Sequence, residues 1–531
     1  MRQVYKSTNV FLKVVMKARA GFMAGKTRSK ESRKRNLEAV VRMINDHTSD
    51  MVAAVRKDLN KPSQETTSCE TEVAKNEAIE FLRSLDEIME PEDEKCHLGE
   101  QENNFFAMLS IRMSFFCGLD VKEQEWKHMW LKKKLGNAVV LKPSELSPAC
   151  AEFLQKTLPK YLDPECFPVV NGSADVAQAL LKQRFDHILY TGGCNVAKII
   201  MRAAAENLTP VTLELGGKCP AYIDQTADVK AAGRRITWGK FMNAGQTCIA
   251  PDYILCDANL KDKLVSEIKN NLRSFYGDDI KASPDYGRIV NERHFEYAVL
   301  APNMLDIQIW SPLVKVLEFF VLQPSSRIQG MLKQCEKKVV FGGSSDRSQR
   351  YIEPTLIDNV SFDDAVMGEE IFGPLLPIFT VRSADEAIRI INSREKPLAL
   401  YVFSNDKRIN KRFLAETSSG NITVNETLVH ALANVLPFGG VGNSGMGSYH
   451  GKFSIDTFSH KKSCLVDPSP KQSEITMGIR YPPYSPTKEK ISGFLMRTAS
   501  ASELKMLKLL KYALVVLIMA FGIKVGRSYC L

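Results

Sequence analysis

Ala138-Val139-Val140-Leu141, Phe167-Pro168-Val169-Val170, His187-Ile188-Leu189-Tyr190 and Val211-Thr212-Leu213-Glu214-Leu215 are four short apolar runs within residues 136–217 of a 531-residue chain. Each is too short for a helix and reads as a strand covered on both faces. Residues 149–162, 174–182 and 196–207 lie between them as helical stretches. Strand and helix in alternation predict an α/β fold with a parallel, doubly wound sheet.

The pattern extends in both directions. Upstream, Leu37, Val40, Val41 and Ile44, then Ile79, Leu82, Leu85 and Ile88, recur at helical steps, so 32–89 reads as a helical hairpin. Downstream, strands at 222–224 and 253–256 precede a helix over 260–275 whose Leu260, Leu264, Ile268 and Leu272 form one stripe. Apolar runs at 377–381, 399–403 and 421–424 complete a second α/β domain. Residues 92–135 and 298–326 fit no clean period.

Composition excludes several classes. With 44% hydrophobic and 25% charged residues the chain is neither disordered nor a polytopic membrane protein. The 71 basic and 61 acidic residues leave +10, without the clustered stripe that a nucleic-acid partner requires. Twelve cysteines without a single Cys-x-x-Cys pair predict no metal site and a reducing compartment.

The ends differ from the body. Residues 1–16 read as an N-terminal extension: Arg2, Lys6 and Lys13 accompany a few apolar residues without a sustained apolar core, which makes a poor secretory signal, and a mitochondrial presequence is the alternative. Residues 480–503 read as a turn-rich linker. Beyond it, 504–526 is apolar apart from Lys505, Lys508, Lys511 and Lys524, whose stems can snorkel. That tail reads as a membrane helix, with a buried globular helix as the competitor by length.

Chemistry concentrates in Phe241-Met242-Asn243-Ala244-Gly245-Gln246-Thr247-Cys248-Ile249-Ala250-Pro251, a cysteine after a small turn and before a strand. It is accompanied by Val211-Thr212-Leu213-Glu214-Leu215-Gly216-Gly217-Lys218, Glu369-Glu370-Ile371-Phe372-Gly373-Pro374 and Pro437-Phe438-Gly439-Gly440-Val441-Gly442-Asn443-Ser444-Gly445. Oxidising an aldehyde takes a thiolate to add to the carbonyl, a hydride acceptor, and a base to activate water against the thioester. Cys248 suits the first task and Glu214, at the end of an apolar strand, the last. Taken singly, each has a plainer reading as a buried thiol or a solvated strand-end carboxylate.

These four segments, in this order, resemble the aldehyde dehydrogenase superfamily. Lys142-Pro143-Ser144-Glu145, Arg184-Phe185-Asp186-His187, Ala250-Pro251-Asp252-Tyr253 and Glu395-Lys396-Pro397-Leu398-Ala399-Leu400-Tyr401 resemble its class 3 branch, and the apolar tail its membrane-anchored fatty-aldehyde members. The resemblance implies an aldehyde dehydrogenase-like fold: a Rossmann-type cofactor lobe, an α/β catalytic lobe and a C-terminal membrane helix. By residue number it implies 17–209 as hairpin and cofactor domain, 210–424 as catalytic domain, and 425–479 as C-terminal core and oligomerisation segment. It also implies NAD(P)-dependent oxidation of long-chain aliphatic aldehydes, with NAD the cofactor and NADP possible. A homodimer at the cytosolic face of the endoplasmic reticulum membrane follows from the same resemblance.

The resemblance assigns Cys248 as nucleophile and Glu214 as base. Lys142 meets the adenosine ribose, Glu370 the nicotinamide ribose, and Phe372 flanks the nicotinamide. The turn Thr191-Gly192-Gly193-Cys194 brings backbone N–H groups to the pyrophosphate, although the family's second glycine there is Ala197. The literal Gly-x-Gly-x-x-Gly at Gly440, Gly442 and Gly445 lacks a βαβ unit and reads as a flexible substrate-side loop.

One segment departs from the family. Its oxyanion-hole Asn sits in an Asn-aromatic-Pro loop, yet no proline occurs from Glu92 to Lys142, so neither Asn103 nor Asn104 takes the role by motif. The first strand of the cofactor sheet is expected to be missing too, unless 105–116 supplies a substitute. An alternative reading is therefore an impaired relative, acting as a membrane-bound binding or partner subunit.

Overall fold

Five strands form one sheet in the order Gly445–Met446, Val211–Glu214, His187–Thr191, Ser114–Gly118 and Val139–Lys142. All neighbours are parallel except Gly445–Met446, which runs antiparallel to Val211–Glu214. The computed structural model describes residues 2–89, 92–97, 102–111, 114–118, 136–291, 327–465 and 478–495. Val139–Lys142 and His187–Thr191 are buried along their whole length, as continuous apolar strands in a parallel sheet should be.

The fourth strand in this order corrects the sequence reading. Ser114–Gly118 lies between Val139–Lys142 and His187–Thr191, with Phe115 opposite both Val140 and Ile188, so the expected gap is filled. The physical reason is the demand of the flanking strands: their inner backbone groups are buried and need partners, and five residues in β conformation meet that demand. Phe167-Pro168-Val169-Val170 departs in the other direction. Pro168 has no N–H to donate, and the run only borders Val139–Lys142, with Leu141 N donating to Pro168 O at 2.9 Å and Val170 N to Leu141 O at 2.8 Å.

A second sheet has seven strands in the order Asn421–Val424, Ala399–Phe403, Pro220–Ile223, Tyr253–Asp257, Leu375–Val381, Thr355–Ile357 and Val339–Phe341. Only Val339–Phe341 is antiparallel to its neighbour. Helix Val229–Phe241, opened by Asp228 accepting from Ala231 N, packs along Lys261–Tyr276, whose Leu264, Ile268 and Leu272 are buried. The hairpin appears as Lys30–Leu59 and Glu72–Arg83, with a π-helical turn at Thr67–Thr71 between them.

Three boundaries shift. The 209/210 division would place Val211–Glu214 in the catalytic domain, but its hydrogen bonds tie it into the first sheet. Residues 1–16 are not a separate extension: one helix runs Arg2–Met23, with Val15, Ala18 and Phe22 buried, and Arg19 pairs with Asp186 at 3.1 Å. The 480–503 linker contains the helix Pro486–Leu495. The chain divides into a large unit, 1–90 with 110–460, and a small one, 91–109 with 461–531. In the small unit, Glu92–His97 pairs antiparallel with Glu102–Ile111, placing Asn103 opposite Cys96 and Asn104 opposite Lys95.

The insertion at 298–326 and the tail at 504–526 lie outside the described residues. Among the described residues no helix is long and apolar enough to cross a membrane, and no cluster of His, Cys, Asp or Glu could hold a metal ion.

Candidate active site

The nucleophile candidate sits on a turn the chain can make in few ways. Helix Val229–Phe241 ends in the 3-10 turn Met242–Gly245, where Asn243 (φ 53°), Ala244 (φ 51°) and Gly245 (φ 76°) are all left-handed. Gly245 is required twice over: its φ disfavours a side chain, and a Cβ there would lie 2.3 Å from Gly373 O. Gln246 locks the turn, donating from Nε2 to Asn243 O at 3.0 Å and Arg288 O at 2.9 Å, while its Oε1 accepts from Val290 N at 3.0 Å. Cys248 follows, 4% exposed. Its carbonyl accepts from Cys219 Sγ at 3.4 Å, and the next carbonyl, Ile249 O, accepts from Tyr401 Oη at 2.6 Å.

Glu214 ends Val211–Glu214 and is 1% exposed. Its backbone is fixed from both sides: Gly192 N donates to Glu214 O at 2.9 Å, and Gly445 stands opposite in the antiparallel pair. Tyr449 is fully buried, and its phenol is raised well above the usual tyrosine range, chiefly by burial and then by Glu214, Cys248 and Glu77.

Two of the cofactor candidates, Lys142 and Gly192, stand at the carboxyl ends of the first sheet's strands, where open α/β sheets bind ligands, while Glu370 and Phe372 precede Leu375–Val381 of the second sheet. Lys142, fully buried, ends Val139–Lys142 and donates to Pro143 O and Glu145 Oε2, each at 3.0 Å. Gly192 and Gly193 close His187–Thr191, and Gly193 is the N-cap of helix Cys194–Ala205, into which Ala197 is buried. Glu370 lies directly over Gly216, where a Cβ would meet its Oε2 at 2.0 Å. Phe372 has φ 46°, an uncommon conformation for an aromatic residue. A helix start after two glycines, with the Tyr190 hydroxyl 2.0 Å from where a Gly192 Cβ would stand, and a carboxylate laid over Gly216 suit a dinucleotide, so the residues fit the cofactor that the motifs imply.

The segment carrying Glu370 and Phe372 is held from below by residues that sequence reasoning gave no role. Asp252 Oδ1 accepts from Ile371 N at 2.9 Å while Asp252 Oδ2 pairs with Lys218 Nζ. Lys218 also donates to Val366 O at 2.6 Å and Glu369 O at 3.0 Å. Both Lys218 and Asp252 stood inside quoted motifs, which was the available signal. Tyr449, Tyr401 and Cys219 carried none.

Among the glycines of 440–445, Gly442 faces open space while Gly440 and Gly445 are tightly packed. A Cβ on Gly445 would lie 2.3 Å from Leu213 O, and one on Gly440 2.0 Å from Ser444 O, so they permit close packing against the strand that ends in Glu214. Among the other cysteines, Cys256 is buried and its thiol is pushed up to about 12, chiefly by desolvation.

The chain matches the model of the aldehyde dehydrogenase family over 133–299 and 324–464. The dimeric, NADP-preferring aldehyde dehydrogenase of Canis lupus familiaris is 44% identical, covering 88% of this chain and 97% of its own. Aldehyde dehydrogenase family 3 member A2 of Rattus norvegicus is 42% identical, covering 91% and 93%. Among solved structures, the substrate-bound AldH of Staphylococcus aureus superposes with a TM-score of 0.82 at 36% identity, covering 91% of this chain and 98% of that one.

Proposed function

We propose that this chain, which belongs to the aldehyde dehydrogenase family, oxidises long-chain aliphatic aldehydes to carboxylic acids with NAD or NADP. The observation that carries the reading is a buried thiol and a buried carboxylate, Cys248 after the left-handed turn 243–245 and Glu214 at the end of its strand, each inside a segment of the family's pattern. Cys248 adds as thiolate to the carbonyl carbon, forming a C–S bond and leaving an alkoxide on oxygen. When bound, the dinucleotide supplies the two-electron acceptor for the hydride that leaves that carbon. Glu214 then takes a proton from water, the hydroxide attacks the thioester, the C–S bond breaks and the thiolate of Cys248 returns. Lys142, Gly192, Glu370 and Phe372 hold the dinucleotide. NADP is supported by the relative named as NADP-preferring, and a homodimer by the same relative's description as dimeric.

The finer assignments rest on sequence. The apolar tail 504–526 anchors the protein, with the catalytic body on the cytosolic face of the endoplasmic reticulum. A second reading, a slow relative acting as a partner subunit, is favoured by the absence of any proline between Glu92 and Lys142 and hence of the family's oxyanion-hole loop. Loss of one such donor costs on the order of 100- to 1000-fold in rate. Reduced-cofactor formation measured with C6 to C18 aldehydes, with NAD and with NADP, tests both. Turnover rising with chain length and abolished in Cys248→Ala supports the enzyme; a slow first turnover without a burst, under every condition tried, supports the second reading.

A further inference from the structure

Cys248 sits in a turn whose carbonyls need partners. Ala250 N donates to Thr247 O at 2.9 Å, so Cys248 and Ile249 are the two inner residues of that turn, and both are buried. A closed turn leaves the carbonyls of its inner residues without a partner inside it, and buried backbone carbonyls are seldom left unpaired. Both are taken by side chains of the second sheet. Cys219 Sγ donates to Cys248 O at 3.4 Å, and Tyr401 Oη donates to Ile249 O at 2.6 Å. Cys219 immediately precedes strand Pro220–Ile223 and Tyr401 lies opposite Ala221 of that strand, so the alternation along a strand puts both side chains on one face of the sheet. The donors are themselves held: Cys219 Sγ accepts from Ala399 N at 3.3 Å, and Tyr401 Oη from Leu428 N at 3.4 Å. Burial raises the thiol and the phenol well above their usual ranges, so both keep their protons and remain donors.

We propose that Tyr401, with Cys219 beside it, is a positioning residue for the nucleophile: the two hydrogen bonds anchor the backbone of Cys248 and Ile249 to the sheet and hold the thiol in line for the aldehyde carbonyl carbon. The proposal rests on the reading of Cys248 given above and extends it to two residues that give no atom to the reaction. With both carbonyls fixed, the thiol moves mainly about its own Cα–Cβ bond. Addition to a carbonyl tolerates little more freedom than that, since a misplacement of about 1 Å costs on the order of 100-fold in rate. Replacing either side chain leaves the backbone bond from Asp252 N to Cys219 O, at 2.7 Å, in place. The segment that carries Glu370 therefore keeps its support from Asp252, whose Oδ1 accepts from Ile371 N.

The test is the rate of the first turnover, followed as stopped-flow NADH formation from a medium-chain aliphatic aldehyde and saturating NAD, in full-length wild type, Tyr401→Phe, Cys219→Ala, Cys219→Ser and Tyr222→Phe. Tyr222→Phe is the control. Its buried phenol also loses a hydrogen bond, to Asp224 Oδ1 at 3.2 Å, but from the opposite face of the sheet, since Tyr222 pairs with Val402. Tyr401→Phe should slow the first turnover on the order of tenfold and leave NADH affinity unchanged. Cys219→Ala should slow it by a smaller factor, a thiol being a weak donor, and Cys219→Ser, which keeps a donor, should recover most of that loss. Tyr222→Phe should lose as much melting temperature as Tyr401→Phe and no rate. If Tyr401→Phe turns over as fast as Tyr222→Phe, or its NADH affinity falls in step with its rate, the phenol is merely structural and the proposal alone falls. If the wild type forms no NADH, or Cys248→Ala forms as much, the reading of Cys248 fails and takes the proposal with it.

Discussion

Gly216→Ala separates cofactor positioning from stability. The three atoms nearest the added Cβ all belong to Glu370, at 2.0 Å for Oε2, 2.3 Å for Oε1 and 2.4 Å for Cδ, and Gly216 is not in a left-handed conformation. The obstacle is thus the far end of a flexible side chain, which has to retreat by about 1.4 Å to reach an ordinary contact of 3.4 Å. A hydrogen bond lengthened by that amount is no longer one. Losing a charge-assisted bond of about 1.5–3 kcal/mol weakens binding by roughly 10- to 150-fold. Stability should change by less than about 1 kcal/mol, as no backbone has to move. NADH titration by fluorescence, with a melting curve of the same sample, measures both quantities. Unchanged NADH affinity would refute the placement of Glu370 at the ribose; a large drop in melting temperature would refute the claim that the carboxylate alone is displaced.

Gly245→Ala should behave oppositely, since its Cβ strikes the rigid Gly373 O at 2.3 Å with φ at 76°; left-handed strain and overpacking together cost roughly 2–5 kcal/mol, read as a fall in melting temperature with kcat lost as well. His430 has both ring nitrogens shielded and without hydrogen-bond partners, and burial holds it down to about 4 from 6.5. The unfolded chain then binds a proton that the folded one refuses between those values, so stability falls by about 3 kcal/mol as pH drops from 6.5 to 4, and urea titrations of His430→Leu should lack that slope. Truncation after Glu503 should abolish carbonate-resistant membrane association without changing kcat; a soluble intact protein would argue against the anchor.

The parts of the fold that sequence made legible are those where burial on both faces leaves a continuous apolar signature. Ala399–Phe403 and Tyr253–Asp257 are buried at every position and stood out as runs. Ser114–Gly118 escaped because its place depends on the unpaired edges of two distant strands, not on a pattern of its own. Val211–Glu214 was visible as a strand, but its sheet was not, because membership is decided by hydrogen bonds to His187–Thr191 and Gly445–Met446. The motifs singled out Cys248, Glu214 and Glu370 as candidates because chemistry restricts those residue types. Tyr449 and Tyr401 owe their place to the packed interior, which a single chain does not display.

The central claim is that Cys248 carries the acyl group and Glu214 admits the water that removes it. Glu214→Gln, incubated with a long-chain aldehyde and NAD, should release about one equivalent of NADH per site and then stall, since thioester hydrolysis has lost its base. Intact mass should rise by one acyl group, and peptide mapping should place it on Cys248, not on the buried Cys256 or Cys219. A variant that turns over as wild type does, or an acyl group carried on another cysteine, would contradict the account.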